Sequence, residues 1–89
     1  MEPPEQSLLV FPCEFSIKII GKQQDGFRAI VVEVITRHAP DFDETRITIR
    51  QSGGGKYIAM TATVVAGSRE QLDAIYSELS ASPYVNMML

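Results

Sequence analysis

The 89-residue sequence predicts a two-layer α+β domain, a four-stranded antiparallel sheet with two helices packed on one of its faces. Three observations carry this reading. Four stretches alternate apolar and polar residues with the two-residue period of a half-buried strand, and two repeat their apolar residues with the period of a helix. The six follow one another as strand, helix, strand, strand, helix, strand. Each has a single apolar face, and one layer of helices over one sheet buries all six.

Residues 1–7 combine Met, Glu, Pro, Gln and Ser without periodicity and are expected to form a disordered tail, leaving 8–89 as a single domain. Leu8, Leu9, Val10 and Phe11 are apolar enough to pack. Pro12 suits the start of a strand, where its missing amide hydrogen costs no ladder bond. The first strand then runs from about Cys13 to Ile20, with Phe15, Ile17 and Ile19 on one face and Glu14, Ser16 and Lys18 on the other.

Gly21 and Gly26 bracket a loop, and Asp25 stands where an N-cap is expected. Phe27, Ile30, Val31, Val34 and Ile35 then mark one face of a helix. It is expected to end near His38, because Pro40 lacks an amide hydrogen and restricts the residue before it. Asp41, Asp43 and Glu44 make an acidic loop.

The stretch 45–50 alternates, with Ile47 and Ile49 inward and Arg46 and Arg50 guarding an edge strand. The run 52–55, Ser-Gly-Gly-Gly, reads as a hairpin turn. Residues 56–66 form the longest strand, with Ile58, Met60, Ala62 and Val64 inward. Ser68 with Gln71 three residues later is a capping box, and Leu72, Ile75, Tyr76 and Leu79 continue as a helical face. Pro83 follows its end, and 84–89 alternates as a last strand with Val85, Met87 and Leu89 expected inward. With right-handed crossovers this order is the ferredoxin-like βαββαβ sandwich, strand order 4-1-3-2.

Composition bounds the function more than it points to one. A net charge of −3, a sequence pI near 5.0 and a mean hydropathy of +0.03 describe an ordinary globular protein and argue against a nucleic-acid partner. The start of the chain is acidic and Pro-rich, unlike a secretory leader, and no apolar run is long enough for a membrane span. The lone Cys13 excludes an intrachain disulfide, and a cytoplasmic location is expected. No cofactor is called for.

Phe11-Pro12 with Phe15, Lys18 and Gly21, His38-Ala39-Pro40, Gly55-Lys56-Tyr57, Tyr76 with Leu79, and the ending Val85-x-Met87-Met88-Leu89 resemble the YbeD-like family of small bacterial proteins of unknown function. The resemblance covers nearly the whole chain from Leu8 onward and departs at Ala59 and Asn86. It implies a fold similar to ACT-type regulatory domains, a statement about architecture and not about activity.

Two candidate sites follow. The first is the loop Gly21, Lys22, Gln24, Asp25 and Gly26, which by the ACT resemblance would take a small acidic or amino-acid effector. Its structural alternative is a tight strand-to-helix turn. With Arg28 the loop is also similar to the phosphate loop of acylphosphatases, hydrolases of this topology. The spacing is one residue short, and Asn86 lies on another strand.

The second candidate is the open face of the sheet, where parity places Lys18, Arg46, Arg50, Tyr57 and Thr61 together with Thr48, Ala59, Thr63, Asn86 and Met88. Three of eight basic residues on one flat face suit an acidic partner. The alternative is a solvated face with edge guards. RNA binding lacks its stacking platform, since Tyr57 is the one outward aromatic of the central strands.

His38 at a helix end, the lone cysteine and the acidic loop each have structural readings without catalysis or metal. The expectation is therefore a non-enzymatic interaction or regulatory module with an unknown protein partner. It is also expected to self-associate through the uncharged last strand, 84–89.

Overall fold

The computed structural model describes residues 11–89, so the expectations for the 1–7 tail and for Leu8 to Val10 lie outside the described residues. The elements are β1 (Cys13–Lys22), α1 (Phe27–His38), β2 (Ile47–Ser52), β3 (Tyr57–Ala66), α2 (Arg69–Ser80) and β4 (Met87–Met88). The sheet order is β2-β3-β1-β4 with every neighbouring pair antiparallel, the predicted order counted from the other edge. The fold is the ferredoxin-like sandwich.

Ten residues of β1 pair with ten of β3, so these two strands form the centre of the sheet. Their inward sets, Ile17 and Ile19 against Ala62 and Met60, meet Phe27, Val31, Val34 and Ile35 of α1 and Leu72, Ile75 and Leu79 of α2 in one buried core. Ile49 also points inward from edge strand β2, yet it stays 47% exposed.

Gly21 explains the join between β1 and α1. A Cβ there would sit 2.2 Å from the Tyr84 carbonyl oxygen and 2.7 Å from the Phe27 ring, closer than atoms approach. Only glycine lets the Tyr84 chain and the first helical side chain close over the end of β1. Phe27 then stacks on Tyr84 with ring centroids 6.3 Å apart and an interplanar angle of 14°.

Local expectations are corrected at four places. Strand β1 continues two residues past Ile20, which makes Lys22 a strand residue and not a loop residue. Gly26, at φ 90°, is the N-cap of α1, and no side chain caps that helix, so Asp25 does not serve as one. Thr45 and Arg46 belong to a 3-10 turn, Glu44–Arg46, started by Asp43, whose carboxylate accepts from the Thr45 amide.

The fourth correction is the last strand. It is two residues long, and its facing is opposite to the one predicted: Met88 packs towards the core, while Met87 and Leu89 are 53% and 63% exposed. The reason lies in residues 82–85. The Val85 amide donates to the Ser82 carbonyl, closing a turn that breaks the two-residue alternation before pairing begins at Asn86 N–H with Ile20 C=O.

Candidate functional site

The outward residues of the sheet form rows fixed by the ladder register. One row runs Arg50, Ala59, Ile20, Met87 across all four strands. In the next, Thr48, Thr61 and Lys18 are continued by Leu89, whose amide donates to the Lys18 carbonyl at 2.9 Å. A third runs Ser52, Tyr57, Lys22. The structure thus brings together Lys18, Arg50, Tyr57 and Thr61 of the predicted face, with no helix of the described residues over them.

It adds residues that parity had not assigned. Lys22 joins the face because β1 extends to it. Ile20, Met87 and Leu89 contribute an apolar strip, and Met88, predicted to lie here, turns inward instead. Ile20 was legible, since it alternates with Lys18 and Lys22. Met87 and Leu89 were not, because their parity depends on the turn before them.

Arg46 stands apart from the other cations. Its guanidinium donates to the Glu14 carboxylate at 2.9 Å, which holds the Glu14 carboxyl below its ordinary range and raises Arg46 in turn. The pair neutralises that corner of the face. Lys18, Lys22 and Arg50 have no ion-pair partner among the described residues. Three exposed cations therefore surround Ile20 and Ala59.

The loop candidate is largely consumed by folding. Gly21 is needed for close packing, the Gln23 amide donates to the Lys56 carbonyl at 2.9 Å, and the Phe27 amide donates to Gln24 C=O. Gln24 and Asp25 are exposed, and no side-chain hydrogen bond joins them to the rest of the loop. What remains beside the loop is a wide groove of about 490 Å³ lined by Lys22, Gln23, Lys56 and Tyr57, continuous with the sheet face. Arg28 is committed elsewhere, donating to the Glu44 carboxylate at 3.1 Å and to the Glu44 carbonyl at 3.2 Å.

A second cavity of about 150 Å³ lies between the 39–43 loop and β3, and its walls include Asp41, Asp43, Arg46, Thr63 and Gln71. Its polar groups are mostly bonded within the protein. Asp43 accepts from the Thr45 amide and hydroxyl, which lowers its carboxyl, and the Gln71 amide group bridges Gly67 N–H and His38 C=O. His38 contacts Glu78 at 2.7 Å, and Arg37 bonds the same carboxylate, so this cluster ties α1 to α2. Among the described residues no group of three or more potential metal ligands gathers, and no helix is long and apolar enough to cross a membrane.

Comparison with known proteins agrees with this architecture. A solution structure of an H. pylori protein matches all of this chain and 97% of its own, with a TM-score of 0.69 at 17% identity. The ACT domain of the Chlorobium tepidum GTP pyrophosphokinase matches 85% of this chain and 84% of its own, with a TM-score of 0.63 at 15% identity. At such identities the likeness is one of fold. Sequence relatives are nearer: a UPF0250 protein of Nitrosomonas europaea is 46% identical over 96% of this chain and 98% of its own, and one of Chromobacterium violaceum is 45% identical over the full length of both. The family model described as "Protein of unknown function (DUF493)" matches residues 6–89, and the chain belongs to that family, which contains the YbeD-like proteins its motifs resemble.

Proposed function

We propose that this protein is a non-catalytic interaction module that presents the open face of its sheet to an acidic protein partner. The observation that carries this reading is the charge distribution. Lysines and arginines are outnumbered 8 to 11 by acidic side chains in the whole chain, yet Lys18, Lys22 and Arg50 share one face whose one acidic side chain among the described residues, Glu14, is already paired. Such a face steers an acidic partner and repels a second copy of itself. The expected self-association through 84–89 has only a two-residue ladder to rest on, and a short edge strand is a device against pairing.

The test is in-cell photo-crosslinking from p-benzoylphenylalanine at Ser16, an exposed residue of β1 one pleat from Lys18. A discrete protein adduct that disappears in Lys18→Glu with Arg50→Glu, and persists in Arg69→Glu on α2, is the expected result. No adduct, or equal loss in the α2 control, refutes the reading.

A regulatory, effector-binding variant keeps one supporting feature, the groove where Lys22 and Lys56 flank Tyr57 and Gln23. It predicts that a small dicarboxylate or amino acid raises the melting temperature through that groove, because a ligand bound only to the native state stabilises it. A Lys22→Ala, Lys56→Ala chain should then show no shift. A flat response of the unmodified chain to a metabolite panel removes this variant.

A further inference from the structure

We infer that the occupant of the open face is an amphipathic helix with acidic residues on both sides of its apolar stripe. The inference rests on the open-face reading above and names its partner. Three apolar residues of the face, Met87, Ile20 and Ala59, form a row across the strands, with Leu89 and Tyr57 beside its two ends and the exposed Val65 apart from it, opposite Glu14. Lys18 lies on one side of that row and Lys22 on the other, each two residues from Ile20 along the same strand. Arg50 stands beyond Ala59 on β2. A cationic rim thus borders a narrow apolar track.

Dimensions select the occupant. From Met87 to Ala59 this row crosses three strands, about 10 Å. That is about two turns of helix, and the lysines flank the row about 13 Å apart along β1, enough beyond the helix diameter of about 10 Å to leave both ammonium groups beside it. An extended peptide instead adds to a sheet by its backbone and needs a strand edge, whereas this face offers only side chains.

Apolar residues at i, i+4 and i+7 of the partner would meet Met87, Ile20 and Ala59. Glutamates or aspartates flanking that stripe would meet Lys18 and Lys22. A second copy brings the same cations and is repelled, and nucleic acid would find one outward aromatic, Tyr57, on which to stack.

The experiment takes the segment cross-linked from Ser16, synthesises it, and titrates it into the full chain labelled with ¹⁵N, while circular dichroism follows the peptide. The expected segment has helical apolar spacing with acidic flanks and gains helix on binding. Its shift changes should map to Ile20, Ala59 and Met87. Lys18→Glu or Lys22→Glu should weaken it at least tenfold, and Met87→Ser should weaken it without altering the melting temperature. Arg69→Glu should leave binding unchanged. A cross-linked segment that binds without gaining helix, or that is insensitive to Lys22→Glu, overturns the helix assignment while leaving the open-face reading intact. An adduct with nucleic acid or with a second copy overturns both, as does the absence of any adduct.

Discussion

Gly21 and Glu14 show what single residues do in this domain. Gly21 faces a backbone oxygen and an aromatic ring that cannot both retreat, so Gly21→Ala is expected to cost about 3 kcal/mol, at the upper end of overpacking effects. By contrast Gly54, at φ 68° in open space, should cost about 1 kcal/mol as alanine, from backbone strain alone. Urea denaturation of the two variants checks the contrast, and equal losses would refute the close-packing role given to Gly21. Glu14 makes a pH prediction. Arg46, through its hydrogen bond and charge, lowers the folded carboxyl below its ordinary 4.5, so the stabilisation is full above that value and is lost as pH falls through the folded one. Asp43, lowered from 3.8 by the Thr45 hydroxyl and amide, acts with the same sign. The urea midpoint should therefore fall on acidification below the ordinary carboxylate range, and Arg46→Ala should flatten part of that fall. Both carboxylates are exposed, so salt should shrink the difference. An unchanged pH profile in Arg46→Ala would show the pair to be thermodynamically silent.

At the scale of elements, the two helices start by different means. Helix α2 begins with the predicted Ser68 cap, whose hydroxyl accepts from the Gln71 amide, while the Gln71 side chain, which the box would turn onto Ser68 N–H, accepts instead from Gly67 N–H one residue earlier and donates to His38 C=O. Ser68→Ala should cost about 1 kcal/mol. Gln71→Ala loses two further bonds and should cost about 2 kcal/mol, since each is worth roughly 1 kcal/mol. Helix α1 has no side-chain cap, so Asp25→Ala should change stability by less than about 0.5 kcal/mol. Denaturant titrations rank the three, and a large effect of Asp25→Ala would contradict the observed N-terminus. The Ser68 cap was legible because its residues are neighbours in sequence. Asp25 misled because Gly26 beside it takes the left-handed conformation and displaces the cap by one residue. Strand β4 misled for a related reason, since a turn at 82–85 resets the alternation that the sequence continues without interruption.

For the molecule as a whole, the prediction concerns charge. Lys18→Glu and Arg50→Glu remove no ion pair found among the described residues and alter only exposed side chains, so the double variant should unfold within about 1 kcal/mol of the parent while losing its partner. Calorimetry beside the cross-linking assay separates loss of binding from loss of fold. Sequence alone determined the fold class, the strand order and most of the core, because apolar periods of two and 3.6 residues are local and six one-sided elements in this order close in one way. It also determined that Lys18 and Arg50 share a face, since each belongs to an unbroken alternation. Tertiary structure alone decided that Arg46, in the turn before β2, is spent on Glu14 of β1, that Lys22 extends the face, and that Met87 and Leu89 supply its apolar edge. These depend on register across strands and on a turn's geometry, and neither leaves a periodic trace along the chain.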